Sequence, residues 1–107
     1  MTVRTMLAME TITTEDRALV RVDGEIDLST AAQLRDLLVE LSERGINSVD
    51  IDLSGVQFMD STGIAVLVAA LRRCKHGGGQ LLLLEPSASV TRLLHATRLS
   101  RVFQIGA

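Results

Sequence analysis

Residues 49–67 read VDIDLSGVQFMDSTGIAVL, and the spacing of the apolar residues changes partway along this stretch. From 49 to 53, apolar residues alternate with aspartates, which is the period of a β-strand. Beyond Ser61 they recur at the spacing of one helix face, in a stripe that comprises Ile64, Leu67, Val68 and Leu71. The stretch therefore predicts a strand, a loop from 54 to 60, and a helix over 61–76 that ends at three consecutive glycines.

The residues before this stretch predict two further strands and another helix. Residues 5–12 and 18–26 are interpreted as an opening pair of strands, joined by a polar hairpin loop. Thr30 and Gln33 have the Thr-x-x-Gln spacing of a capping box, in which two side chains satisfy free amides at a helix start. A helix is expected to begin there and to end just before Gly45.

The residues after the second helix predict one more strand and a third helix. Residues 81–84 are four leucines between glycine and proline, and this short run favours a buried central strand, although periodicity alone does not exclude a helix. Ser87 or Ser89 is placed to cap the third helix. That helix would contain Val90, Leu93 and Leu94. Residues 99–105 are expected to close the chain as a short helix or an extended tail.

The order of these elements is β-β-α-β-α-β-α, which predicts the α/β class. Strands that alternate with helices after an opening hairpin favour a mostly parallel mixed sheet with an antiparallel edge and right-handed crossovers. We expect a single domain over residues 1–107, with a sheet of about four strands and helices packed against it.

Composition narrows the partners that the chain is expected to have. Phe58 and Phe103 are the only aromatic residues, so no stacking platform for single-stranded nucleic acid is available. The net charge of −2 provides no basic field for a phosphate backbone. We therefore expect no nucleic-acid partner.

Cysteine and histidine usage predict neither a metal nor a cofactor. Cys74 is the single cysteine, which excludes an internal disulfide and fits a reducing compartment. The two histidines, His76 and His95, do not have metal-ligand spacing. No stretch approaches the roughly 20 apolar residues of a membrane span, and no signal peptide is evident. A cytoplasmic protein without a membrane partner is expected.

Asp60 and Ser61 stand where the second helix is predicted to begin, and two compatible interpretations apply to them. In the first, they only cap the helix, since both residue types accept its free amides. In the second, Asp60 is the cap and Ser61 is the first helical residue, with an uncommitted hydroxyl that is free to be modified. A phosphate on Ser61 would lie at the positive end of the helix dipole, which tolerates negative charge.

Three runs carry a resemblance to a known family, namely Gly24-Glu25-Ile26-Asp27, Asp52-Leu53-Ser54-Gly55-Val56 and Phe58-Met59-Asp60-Ser61-Thr62-Gly63-Ile64. Together they resemble the STAS domain found in anti-sigma-factor antagonists and anion transporters. The resemblance covers nearly the whole chain and includes the order of elements. One departure is Ala65, where many antagonists of this kind have glycine.

The resemblance implies a partner switch without enzymatic activity of its own. The unphosphorylated antagonist would bind a serine-kinase anti-sigma factor and thereby free the sigma factor. The kinase would phosphorylate Ser61, and a metal-dependent, PP2C-type phosphatase would reverse the modification. Thr62 is the less favoured acceptor. The partner-binding residues implied are Asp27, Asp60, Ser61, Thr62, Gly63 and Val66.

Several points stay open at the level of sequence. Val66, with Ala69 and Ala70, would form a small apolar partner surface or be covered by a neighbouring element. Asp27 would also serve as a turn or capping residue. The chain would be either a monomer or a homodimer.

Two rival functions are considered. An enzyme would need Asp27, Asp52 and Asp60 to converge with Ser61, but the chain lacks a Gly-x-Ser-x-Gly elbow and a Walker-type loop. The other rival is a STAS subunit of a transport complex, or a signalling scaffold, without a phosphoswitch.

Overall fold

The computed structural model describes residues 7–106, which form five strands and three helices in the order β-β-α-β-α-β-α-β. The elements are β1 (Ala8–Thr13), β2 (Arg17–Ile26), α1 (Ala31–Glu43), β3 (Ser48–Met59), α2 (Ser61–His76), β4 (Leu81–Leu84), α3 (Ala88–Ala96) and β5 (Gln104–Gly106). The predicted α/β class is confirmed, and so is the predicted order of elements up to the third helix. The predicted start of the first strand at residue 5 lies outside the described residues.

The strands form one mixed sheet in the order β1-β2-β3-β4-β5. Only β1 and β2 are antiparallel, and the other neighbours are parallel. Each crossover leads to the next strand in the same direction, so right-handed crossovers place all three helices on one face of the sheet. The fifth strand was not predicted: residues 104–106 were expected in a short helix or tail, but they pair with β4.

Alternate side chains of the strands point toward the helices and form the core. Val20 and Val22 of β2 are fully buried on this face, as are Ile51 and Leu53 of β3. The opposite face is open and carries charge, with ion pairs of 3.4 Å between Arg17 and Asp50 and between Arg21 and Asp52. Exposed pairs of this kind contribute little to stability, so the helix-covered face holds the fold together.

Strand β3 is longer than predicted. The sequence predicted a loop over 54–60, but the strand continues to Met59 and pairs with β2 through two register shifts. The shifts occur around Asp23 and Gly24, and Gly24 has a φ of 120°, which favours glycine. Gly55 lies so close to β2 that an added Cβ would be 1.7 Å from Asp23 Oδ1. The prediction failed because these irregularities disrupt the apolar alternation without ending the pairing.

The capping box predicted at the start of α1 is wrong, although the helix does begin at Ala31. The Thr30 side chain does not cap the helix. Its hydroxyl donates to the Glu25 carbonyl at 2.7 Å and accepts from the Asp27 backbone amide at 3.0 Å. The backbone amide of Gln33 donates to the Thr30 backbone carbonyl and not to the Thr30 hydroxyl. Thr30 is therefore committed to the turn that precedes the helix, and it holds the backbone of Asp27 in place.

Of the two serines that were candidates for the N-cap of α3, the structure shows Ser87 in that role. Ser87 is the N-cap and accepts from the Val90 amide at 3.4 Å. Ser89 instead donates to the Gln57 carbonyl at 2.9 Å. This second bond attaches the first turn of α3 to the far part of β3.

All three helices end in the Schellman arrangement, in which a residue in the left-handed conformation closes the last turn. That residue is Gly45 in α1 (φ 80°), Gly78 in α2 (φ 82°) and Arg98 in α3 (φ 61°). The characteristic bonds run from Ile46 to Leu41, from Gly79 to Cys74 and from Leu99 to Leu94. Only Arg98 occupies this position against its conformational preference.

Gly45 and Arg98 are both the left-handed residue that closes a helix, so glycine can be removed at one position and introduced at the other. Gly45→Ala should lower the free energy of unfolding by about 1 kcal/mol, because alanine is disfavoured at positive φ. Arg98→Gly should raise it by about 0.5 kcal/mol, since relief of the left-handed strain exceeds the added entropy of the unfolded chain. Urea unfolding measures both values. Changes of the same sign in the two variants would contradict the conformational explanation.

Candidate functional site

The candidate site forms where β2 and β3 end side by side and α2 begins. The last residues of the two strands, Ile26 and Met59, are paired. The Asp60 amide then donates to the Ile26 carbonyl at 3.1 Å, which continues the ladder for one more residue. This arrangement brings the turn that contains Asp27 beside the first turn of α2.

Asp60 is the N-cap of α2, as predicted. Its backbone is extended, and its carboxylate accepts from the Thr62 amide at 2.9 Å. The same oxygen, Oδ1, also accepts from the Thr62 hydroxyl. The Asp60 carboxylate is thus occupied by the helix that it begins.

Ser61 and Thr62 differ in how their hydroxyls are used. Thr62 is half-buried, and its hydroxyl is bonded to Asp60. Ser61 is exposed, and its hydroxyl makes no hydrogen bond to any other residue within 7–106. Ser61 therefore offers the more accessible oxygen of the two. Ser61 lies at the positive end of α2, where the helix dipole favours an exposed phosphate by about 0.3–1 kcal/mol.

Asp27 lies in the turn between β2 and α1, where Ser29 binds its carboxylate. Oδ1 of Asp27 accepts from the Ser29 hydroxyl at 2.6 Å and from the Ser29 amide at 2.9 Å. These bonds favour the charged form and hold the pKa of Asp27 below its usual value. Asp27 thus presents a fixed, ionised carboxylate on the rim of the site.

Asp52 does not join this group. It lies on the open face of the sheet, where it pairs with Arg21 and accepts from the Ser54 amide at 2.9 Å and hydroxyl at 2.7 Å. The Ser54 bonds lower the pKa of Asp52. Asp52 and Asp60 are therefore on different faces, and the convergence of three aspartates with Ser61 that an enzyme would need is not found.

Gly63 and Val66 lie beneath the site and not on its surface. An added Cβ on Gly63 would be 2.6 Å from Met59 Cγ and 2.9 Å from Ile26 Cγ2, so glycine lets α2 sit directly on the two strand ends. Val66 is only 8% exposed and Ala70 only 3%. Of the two interpretations of Val66, the covered one agrees with the structure, because the buried face of α2 is wider than the four-residue stripe.

Two apolar side chains beside the site were not identified as partner-binding residues from the sequence. Leu28, next to Asp27, is 82% exposed, and Phe58, just before Met59, is 47% exposed. Phe58 also lines a recess of about 300 Å³ between the end of β3 and α3. Large exposed apolar residues next to a polar site are a signal of partner binding, but their exposure depends on tertiary structure.

Within the part of the chain that the structure describes, we find no cluster of three or more potential metal ligands among histidine, cysteine, aspartate and glutamate. No helix between residues 7 and 106 has the length and apolar character required to cross a bilayer.

Comparison with known proteins gives relatives along almost the whole chain. The family model described as STAS domain matches residues 8–107. An anti-sigma-B factor antagonist of Bacillus subtilis is 40% identical over 88 residues, which are 82% of this chain and 80% of that protein.

Solved structures also share the fold, and two of them show the extent of the likeness. The crystal structure of an anti-sigma factor antagonist from Mycobacterium paratuberculosis superimposes with a TM-score of 0.82 at 25% identity, covering 94% of this chain and 85% of that one. The phosphorylated form of the Bacillus cell fate determinant SpoIIAA gives a TM-score of 0.74 at 20% identity, covering 94% and 92% of the two chains.

A mixed five-stranded sheet with an antiparallel edge, and a serine that directly follows the N-cap of a helix beside the strand ends, are the features of a STAS-type α/β domain. The chain belongs to the STAS domain family, and the relative from Bacillus subtilis described above is an anti-sigma-B factor antagonist.

The lowered pKa of Asp27 can be tested by removing its principal hydrogen-bond donor. Ser29→Ala should raise this pKa toward the usual value of 3.8, because the hydroxyl bond to the charged form is lost. A lowered pKa stabilises the fold above the usual pKa, and that contribution disappears as pH falls through the folded-state pKa, so the variant should lose less stability on acidification. Carboxyl-carbon NMR titration measures the change.

Ser54→Ala is the matched control, since it should raise the pKa of Asp52 and leave that of Asp27 unchanged. A pKa of Asp27 that does not move in Ser29→Ala would refute the assigned cause.

Proposed function

We propose that this chain is an anti-sigma factor antagonist that is switched by phosphorylation of Ser61. In its unphosphorylated form it binds a serine-kinase anti-sigma factor, which releases the sigma factor. The observation that carries the proposal is the exposed Ser61 hydroxyl, which makes no hydrogen bond within 7–106, next to an Asp60 whose carboxylate is already committed to the helix. The family membership and the antagonist relatives support it.

The modification itself is compatible with the fold. A phosphate on Ser61 projects from the surface at the positive end of α2, so it neither enters the core nor displaces the Asp60 cap. The fold of the phosphorylated form of SpoIIAA, which resembles that of this chain, agrees with this view. We infer that the kinase transfers phosphate to Ser61 in preference to Thr62, and that a PP2C-type phosphatase removes it.

One phosphate supplies most of the free energy that is needed to dissociate the complex. It adds about −1.5 to −2 charges, and burying an unpaired ion at an interface costs several kcal/mol. Moving a binding equilibrium from almost complete to almost absent needs about 5.5 kcal/mol. A phosphate located inside the contact area therefore provides most of the required change without a rearrangement of the domain.

The proposed contact surface combines polar and apolar groups. Asp27, Asp60, Ser61 and Thr62 supply the polar part, and Leu28 and Phe58 add exposed apolar area at its border. Interfaces of this kind bind chiefly through a few large side chains surrounded by polar contacts.

Gly63 and Val66 support this surface from below. We infer that the protein acts by binding and has no catalysis of its own. It would do so in the cytoplasm, where a sigma factor and its regulators meet.

Phosphorylation can be tested with the kinase-type anti-sigma factor recovered from the source organism by the unphosphorylated protein. With ATP, mass spectrometry should find one phosphate on Ser61. Ser61→Ala should abolish it and retain binding, because only a small exposed hydroxyl is removed. Thr62→Val, the matched control, should still be phosphorylated on Ser61. Phosphate that persists in Ser61→Ala would overturn the assignment, as would recovery of an ATP-binding transport subunit in place of a kinase.

The apolar part of the surface can be tested by single substitutions. Leu28→Ser and Phe58→Ser should each weaken binding to the same kinase by about tenfold or more, since truncating a large side chain that acts as a binding hot spot costs about 2 kcal/mol or more. Ile12→Ser is the control, because Ile12 is 66% exposed but lies on β1, opposite Leu19. Calorimetric titration gives the affinities. Equal weakening in all three variants would exclude a specific role for Leu28 and Phe58.

A further inference from the structure

Strand β1 forms one edge of the sheet, and its outer side is open. Within residues 7–106 it pairs with β2 alone, and five of its six residues are exposed. An edge strand is a template for pairing with another chain, and proteins usually protect it with proline, lysine, a bulge or a covering element. Residues 8–13 contain neither proline nor lysine, and their pairing with β2 shows no register shift. This edge is therefore able to accept a further strand.

The hairpin between β1 and β2 determines which backbone groups point outward. The Thr14 amide donates to the Arg17 carbonyl at 2.9 Å, so these residues form a hydrogen-bonded pair. Such pairs alternate with non-hydrogen-bonded pairs along an antiparallel ladder, so Ile12 directs its amide and carbonyl toward β2. Thr11 and Thr13, on either side of Ile12, direct theirs away from the sheet. Within residues 7–106 no other strand pairs with these outward groups.

Two apolar side chains lie beside the outward groups. Ile12 is 66% exposed, which is the highest exposure of any large apolar residue in the five strands. Its cross-strand neighbour Leu19 is 36% exposed. Both lie on the open face of the sheet, since Leu19 alternates with the buried residues of β2. A further strand at this edge would remove apolar area of Ile12 from water.

We propose that a second copy of this chain adds its own β1 to this edge, antiparallel to the first and related to it by a two-fold axis at Ile12. In this register Ile12 faces Ile12 of the second copy as a non-hydrogen-bonded pair, the kind in which side chains are closest. Thr11 faces Thr13 of the second copy, and each such pair exchanges both backbone hydrogen bonds. The run Thr11-Ile12-Thr13 reads the same in both directions, so the contact is self-complementary.

Charge favours this register over its neighbours. An axis at Glu10 would place like charges opposite each other, and an axis one residue further on would set Glu10 against Ile12. With the axis at Ile12, Glu10 faces Thr14 of the second copy, whose own cross-strand neighbour is Arg17. Each Glu10 then lies between its cross-strand partner Arg21 and the second copy's Arg17. Charges of opposite sign therefore flank the apolar row on both sides.

A dimer of this kind leaves both candidate sites free. Ile12 lies opposite Leu19, near the start of β2, whereas Ser61 follows the far end of β3. The edge of one strand is a small contact compared with the interface of a permanent complex, so we expect a weak and reversible dimer. The proposal does not depend on the phosphoswitch, because no residue of the Ser61 site takes part in the contact.

Sedimentation equilibrium of the unmodified protein, over a wide range of concentration, should show a reversible monomer–dimer equilibrium. Ile12→Lys should weaken dimerisation about tenfold or more, because it places like charges opposite each other and removes the apolar pair. Thr11→Pro should also weaken it, since it removes an outward amide that the pairing with β2 does not use. Ile105→Lys is the matched control and should leave dimerisation unchanged, because Ile105 is 44% exposed on β5, at the opposite edge.

A protein that is monomeric at every concentration would overturn the proposal. So would a dimer of unaltered affinity in Ile12→Lys or in a folded Thr11→Pro protein.

Disulfide trapping tests the register. Ile12→Cys should form an interchain disulfide on mild oxidation, since the Cα atoms of a non-hydrogen-bonded pair lie about 4.5 Å apart, within the range that a disulfide spans. Thr11→Cys is the control and should not cross-link, because its side chain faces Thr13 of the second copy. The native Cys74 is buried and does not compete. Cross-linking of Thr11→Cys in preference to Ile12→Cys, or of neither, would refute the two-fold axis at Ile12.

Discussion

The side-by-side pairing of β2 and β3 is the constraint on which the functional end of the molecule depends. The two strands stay paired through two register shifts until Ile26 meets Met59, and the Asp60 amide extends the ladder by one bond of 3.1 Å. Without this alignment, the Asp27 turn and the start of α2 would have no fixed relation. The site is thus created by backbone hydrogen bonds, and its side chains only complete it.

The parts of the structure that local chemistry determines could be predicted from the sequence. The Asp60 cap and the exact extent of α2 follow from neighbouring residues, and so does the end of α1 at Gly45. Features that depend on distant partners could not be predicted. β5 exists only because β4 offers an edge, and Thr30 uses its hydroxyl for the preceding turn instead of the helix.

In the candidate site too, features set by neighbouring residues could be predicted, and features set by distant parts of the chain could not. Ser61 and Asp60 were recognisable because a helix start has a local signature. Val66 was placed among partner-binding residues, yet it lies in the core, since neighbouring elements decide how wide the buried face of a helix is. Leu28 and Phe58 were overlooked for the converse reason: apolar residues are expected inside, and only the folded chain shows that these two are exposed.

The contact of Gly63 with Met59 and Ile26 has a consequence for how recognition is expected to proceed. With no space for even one more carbon atom, the first turn of α2 has little freedom to reorient when a partner approaches. A preorganised surface loses little conformational entropy on association, so more of the interaction energy is retained as affinity. Docking would then resemble the meeting of rigid bodies, and the lifetime of the complex would be governed by the chemistry of its surface and not by refolding of the domain.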